Sequence, residues 1–233
     1  MTKRWIGTSG FSYPEWKGSF YPEKLPQKKM FGFYVEHFPT VEINNTFYKM
    51  PDEALIKGWS ESAPAGFRFG LKAPQRITHV ARLKDIGDTV RFFLEKAALL
   101  GDKLGPILFQ LPPNMKKDAG RLAAFLSDIP AGTRAAFEFR NASWFDDEVF
   151  ELLKKQNLAL CISDSEKISA PFVATADYGY LRLRDEGYEP ADIGRWHELL
   201  GEKGAHWTDV FVYFKHEDAG KGPAFAKALM ALG

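Results

Sequence analysis

One cysteine, five histidines without paired spacing and a formal charge of only +1 remove several kinds of protein from consideration. Cys161 alone cannot form an internal disulfide, which fits a reducing compartment. The near-zero charge offers no global attraction to an anionic membrane or to nucleic acid, so a nucleic-acid partner would need a local basic patch. Glycine-rich phosphate loops are missing too: Gly7-Thr-Ser-Gly10 lacks the dinucleotide-binding spacing, and no Walker motif occurs. Long apolar runs are absent. Met1-Thr-Lys-Arg-Trp-Ile6 runs directly into a strand-like segment, so neither a signal peptide nor a transmembrane helix is expected, and the expected location is cytoplasmic with no membrane partner. Without a composition break or low-complexity segment, residues 1–233 are expected to form a single domain, and a 45% hydrophobic content allows a large core.

What the chain does have is aromatic mass, 20 Phe and 6 Trp among 233 residues, most of it read as core. Eight strand-like segments stand out, at 4–9, 40–45, 67–72, 106–111, 134–140, 158–163, 178–184 and 209–215. Helical stripes separate most of them. Met30, Phe31, Tyr34, Val35 and Phe38 share one face, and Leu55, Ile56 and Trp59 follow Pro51, which suits a first-turn position. A helix is predicted from Asp88, with Asp88-Thr89 as cap, to Lys103. Further stripes include Leu122, Phe125, Leu126 and Ile129; Val149, Phe150 and Leu153; Ile193, Trp196, Leu199 and Leu200; and Phe225, Ala228, Leu229 and Leu232. Between Ser165 and Asp177 no helical stripe is found, so the sixth connection is expected to be short or irregular. Strict strand and helix alternation predicts a parallel sheet wrapped by helices, and eight repeats in this length favour a closed α/β barrel of the TIM type over an open doubly wound sheet.

Buried parallel strands are normally apolar on both faces. These are not. In Arg134-Ala-Ala-Phe-Glu-Phe-Arg140, Phe137 and Phe139 lie on one face while Glu138 and Arg140 lie on the other, because side chains alternate along a strand. Glu42 with Asn44, Arg68 with Lys72, Gln110, and Arg182 with Arg184 repeat the arrangement. Charges there cost several kcal/mol unless paired or solvated. In a barrel the C-terminal strand ends build the active site, and Ser9, Asn44, Asn45, Lys72, Gln110, Glu138, Arg140 and Asp164 fall at those ends.

Four of the segments carrying these residues are Gly7-Thr-Ser-Gly-Phe-Ser-Tyr-Pro-Glu-Trp-Lys-Gly18, Val41-Glu-Ile-Asn-Asn-Thr-Phe-Tyr48, Leu108-Phe-Gln-Leu-Pro-Pro113 and Phe137-Glu-Phe-Arg-Asn-Ala-Ser-Trp144. In content and order they resemble the YecE-like family, domain of unknown function 72. The resemblance implies an eight-stranded βα barrel and implies no activity. Two departures occur late: members often read Arg-x-His-Gly in the seventh strand, where this chain has Arg182-Leu-Arg184-Asp185-Glu186-Gly187, and an Asn pair after the eighth, where it has Lys215-His216.

Glu42 and Glu138 are the catalytic candidates, since acid/base work needs a carboxylate whose proton affinity is moved by burial and neighbours. The alternative is that they form structural ion pairs with Lys72 and Arg140. Lys72, Arg140 and Arg182 outnumber them and suit a small anionic ligand, with Arg68 and Arg184 the arginines most readily read as surface charge. Asn44 and Asn45 supply neutral donors and acceptors or make local turns. Tyr13, Trp16 and Trp144 are candidate walls of the mouth or plain loop packing. Gln110 and Asp164 complete the substrate-binding candidates, Asp164 doubling as a possible turn cap. The histidines offer no zinc site, and a hard cation on Glu42, Glu138 and Asp164 is opposed by the nearby cations. No metal or cofactor is assigned. Three functions compete: an enzyme acting on a small anionic or sugar-phosphate-like substrate with the two glutamates as acid and base, a glycoside hydrolase, and non-catalytic binding of a phosphorylated ligand or nucleic-acid end with aromatic stacking.

Overall fold

The computed structural model describes residues 2–165 and 167–233. Strands β1 (Lys3–Ser9), β2 (Thr40–Ile43), β3 (Arg68–Lys72), β4 (Leu104–Gln110), β5 (Ala135–Glu138), β6 (Ala159–Ser163), β7 (Tyr178–Leu183) and β8 (Asp209–Phe214) close in sequence order into a barrel. All pairs are parallel, and β1 closes onto β8 through a register running from Lys3 opposite Asp209 to Thr8 opposite Phe214. This is the TIM-type architecture that the alternation predicts.

Helices α1 (Met30–Val35), α2 (Asn45–Tyr48), α3 (Glu53–Ser62), α4 (Gly87–Ala98), α5 (Ala119–Ser127), α6 (Asp147–Lys155), α7 (Pro190–Lys203) and α8 (Lys221–Ala231) lie between and after the strands. Three of the starts are set by short polar side chains: Asp52 accepts from the Leu55 amide at 2.8 Å, Asp118 from Arg121 at 2.9 Å and Asp146 from Glu148 at 3.0 Å. Pro51 therefore sits just ahead of a cap and not in the first turn. Asp88 likewise does not cap α4; Ile86 holds that position without a side-chain bond, and Asp88 instead receives the Arg91 guanidinium one turn on. Residues 99–103 leave the α-helix for a short 3₁₀ turn at Gly101–Lys103. Between β6 and β7 the described residues form no helix. Thr175 pins that loop beneath β6, donating to the Leu158 carbonyl at 2.7 Å and accepting from the Leu160 amide at 2.6 Å.

Two apolar compartments follow from the strand parity. Phe69, Leu71, Phe109, Phe137, Leu181 and Val212 face the helices. Trp5, Leu108, Ala136, Cys161, Tyr178, Tyr180, Phe211 and Tyr213 fill the barrel interior. Its N-terminal end is closed by polar groups: Asp209 accepts from the Trp5 indole and from Arg134, both at 2.9 Å, while the Arg68 guanidinium lies 4.9 Å from the Trp5 ring centre. Arg68 is thus a partly exposed charge lying over Trp5 at the barrel floor. A barrel sealed below leaves its upper end as the place for a site.

At Gly7 the backbone of β1 packs directly against the Thr40 carbonyl at the start of β2. A Cβ there would lie 2.2 Å from the Thr40 carbonyl oxygen, a backbone atom with nowhere to go. Gly32 on α1 has open space around it. Gly7→Ala is expected to destabilise the fold by about 1–3 kcal/mol through overpacking, and Gly32→Ala to stabilise it by about 0.5–1 kcal/mol. Urea denaturation of both variants checks this, and equal midpoints would contradict the close packing at β1.

Candidate active site at the barrel mouth

Arg182 rises from β7 into the lumen and is 0% exposed. Its Nη1 donates to Glu138 Oε2 at 2.5 Å, its Nε and Nη2 both reach Glu42 at 2.9 Å, and Nη2 also meets the Ser9 hydroxyl at 3.2 Å. One guanidinium therefore bridges carboxylates on β2 and β5. The carboxylates are otherwise saturated. Glu42 accepts from Ser9 at 2.5 Å and from Tyr180 at 2.6 Å, and Glu138 accepts from Gln110 and from Arg140 Nε, each at 2.8 Å. Asn44 donates to the Ser9 hydroxyl at 2.9 Å, extending the network toward the rim.

Burial alone would raise both glutamates, but the charges and hydrogen bonds outweigh it. Arg182, Ser9 and Tyr180 hold Glu42 below the usual carboxylate range, and Arg182, Arg140 and Gln110 hold Glu138 far below it. Both are fixed anions at neutral pH. Lys72 responds in the opposite sense. Burial and then the positive field of Arg182 bring its ammonium down to about 7, against the partial restoring pull of Glu138 and Glu42. Among the described residues its Nζ has no ion pair; it lies 3.9 Å from the centre of the Phe47 ring. His79 is lowered by burial and by Lys72 and Arg140, and Lys215 at the end of β8 is lowered by burial and by Arg182.

The other sequence candidates divide. Gln110, Lys72, Arg140 and Asn44 join the two glutamates and Arg182 in one cluster. Asn45 begins the short α2 turn and is exposed. Trp16 and Trp144 are buried, with indoles donating to the Glu217 carbonyl at 2.9 Å and the Met115 carbonyl at 2.7 Å; Trp144 stacks on Phe139. They hold loops against the barrel and present no ring face to the mouth. Tyr13 remains half-buried and donates to the Ser9 carbonyl at 2.7 Å, with its own ionisation pushed up by burial. Asp164 accepts from the Arg184 amide at 2.7 Å and from the Tyr188 hydroxyl, and burial raises its proton affinity. It serves the β6–β7 rim and not the glutamate cluster. Tyr180, Phe47 and His79 also belong to the site, although they are not among the candidates the sequence suggests. Tyr180 shares parity with Arg182 and was legible as an inner-face residue; Phe47 and His79 sit on the α2 turn and a π-helical turn at Arg76–Val80, which the sequence pattern does not announce. No group of three or more metal-ligating side chains occurs among the described residues.

A parallel barrel with a polar cluster at the C-terminal strand ends is the arrangement of TIM-barrel enzymes and ligand-binding proteins alike. The chain matches the family described as "Protein of unknown function DUF72" over residues 5–233, and it belongs to that family. It is 25% identical to the UPF0759 protein YunF of Bacillus subtilis (strain 168), across 98% of this chain and 94% of that protein. A DUF72 family protein from Thermotoga maritima MSB8 superposes with a TM-score of 0.87 at 25% identity, covering 99% of this chain and 98% of its own. Another, from Enterococcus faecalis V583, shares the fold at a TM-score of 0.79 and 20% identity, covering 100% and 98%. None of these names carries an activity.

Removing Arg182 leaves two buried carboxylates without their counter-charge. Arg182→Met is expected to cost about 3–5 kcal/mol, and adding Glu42→Gln and Glu138→Gln should recover part of the loss. Chemical denaturation of the single and triple variants tests the bridge; a triple variant no more stable than the single would contradict it. Lys72 gives a pH signature. Its unfolded proton affinity is near the usual 10.5 and its folded one about 7. Between these values the unfolded chain binds more protons, so the Lys72 contribution to stability rises with pH and is lost as pH falls through that window. The unfolding free energy of wild type should therefore climb relative to Lys72→Met from pH 7 to pH 10. Parallel profiles would show that Lys72 titrates normally.

Proposed function

We propose that the mouth binds a small anionic, sugar-phosphate-like substrate and acts on it enzymatically, with Arg140 and Lys72 contacting the anion and Lys72 exchanging the proton. The observation that carries this is the half-used guanidinium of Arg140. Glu138 takes its Nε, while its Nη atoms have no partner among the described residues and the side chain is 26% exposed. A planar pair of donors fixed from behind and open in front suits a phosphate or carboxylate.

Glu42 and Glu138, the acid and base expected from sequence, work better in this reading as fixed negative charges. A carboxylate held ionised by Arg182 is a weak base and carries no proton to donate at pH 7. That also weighs against glycoside hydrolysis, which requires one carboxyl to be protonated. Lys72, half neutral near pH 7, matches the proton affinity that general acid/base catalysis favours. The nucleic-acid alternative loses support with Trp16 and Trp144 buried, since of the three rings expected to stack on bases Tyr13 alone keeps partial exposure. No helix among the described residues is long and apolar enough to cross a membrane. With a lone, buried, free cysteine, a cytoplasmic location remains our reading.

Calorimetric titration of inorganic phosphate into wild type and Arg140→Lys tests the anion site. A lost charge-assisted contact of about 1.5–3 kcal/mol corresponds to roughly a tenfold or greater loss of affinity. Equal affinities, or no heat for either protein, would sink the reading.

A further inference from the structure

We propose that Lys72 is a covalent catalyst that forms an imine with substrates bearing both a carbonyl group and an anionic group. The inference rests on the anion site proposed above and names the substrate class that fits it. Lys72 ends β3 at the mouth, 9% exposed, with its Nζ against the face of Phe47 and no carboxylate paired with it among the described residues. Glu42 and Glu138 are already committed to Arg182, so neither is left to hold the ammonium. A buried lysine beside other cations is easily deprotonated, and the neutral amine is the nucleophile; its proton affinity, lowered to about 7, agrees.

The chemistry closes on itself. The Nζ lone pair attacks the carbonyl carbon, the C–N bond forms, and the carbonyl π electrons move to oxygen, which takes a proton. The nitrogen of this carbinolamine loses a proton, the hydroxyl takes a second proton from solvent, the nitrogen lone pair forms the C=N bond as the C–O bond breaks and water departs, and the product is a protonated imine. The sum is amine plus carbonyl compound plus one proton giving iminium plus water, with no oxidant or reductant. The positive charge then returns to Nζ and stays over the Phe47 ring, where a cation is stabilised. The substrate's carboxylate or phosphate meets the open Arg140 donors.

Borohydride trapping tests this directly. Wild type is incubated at pH 7.5 with glyoxylate, pyruvate or glyceraldehyde 3-phosphate, reduced, and analysed by intact mass and peptide mapping. Expected is a single adduct on Lys72, formed at least tenfold faster than on any other lysine, slowed by saturating phosphate and absent in Lys72→Arg and Lys72→Met. Labelling spread over surface lysines, or a major adduct surviving in both variants, overturns the proposal. Should the variants fail to fold, phosphate protection and site mapping in wild type decide alone. Phosphate binding without an adduct refutes the imine and spares the anion site, whereas a Lys72 adduct indifferent to phosphate refutes the anion site and spares the imine.

Discussion

The whole upper half of the barrel is organised by one guanidinium with no access to water. Arg182 ties β7 to β2 through Glu42 and to β5 through Glu138, three strands that are not neighbours in the sheet. Taking such charges out of water costs several kcal/mol per ion, and only near-complete hydrogen bonding offsets it. The surrounding residues supply that bonding. Ser9, Tyr180, Gln110 and Arg140 each take a carboxylate oxygen, and Asn44 in turn orients Ser9. Identity at these positions is therefore constrained by the ion bridge before any ligand is considered.

A fixed network of this kind divides the site into a rigid part and a responsive part. The glutamates and Arg182 do not change charge near neutrality, so they act as a permanent field. Lys72, His79 and Lys215 lie in that field, and burial shifts each of them toward the neutral form. Groups of one kind set the potential and groups of the other kind titrate in it. This fixed charge is built from inner-face residues of β1, β2, β4, β5 and β7, with Asn44 and Arg140 added just beyond the ends of β2 and β5.

Parity is also why so much was legible in the sequence. Alternation along 134–140 and 178–184 identifies Glu138 and Arg182 as inner-face residues, and eight repeats are enough to expect the barrel and its short or irregular sixth connection. Parity states a face and not a height or a partner. Arg68 shares its face with Lys72, yet it closes the floor over Trp5 while Lys72 reaches the mouth. Arg182, grouped from sequence with ligand-binding cations, is spent on two carboxylates. Trp16 and Trp144 carry no periodic signal at all, because a loop indole can turn inward or outward with equal local cost. Their burial is decided by carbonyls of Glu217 and Met115, which are 201 and 29 residues away in sequence.

The seam between β1 and β8 has a consequence in time. Lys3 pairs with Asp209, so β1 waits for β8 before its hydrogen bonds are complete on both sides. Until then the nascent sheet is open along two edges, a state prone to pairing with other chains. Contacts this distant in sequence also close slowly. The polar floor at that seam, with Asp209 joining Trp5 to Arg134, contributes only once closure has occurred. From the emergence of β1 until β8 is made, a newly synthesised chain thus holds the sheet unclosed, and the exposure of its two edges ends only when Asp209–Phe214 pairs with Lys3–Thr8.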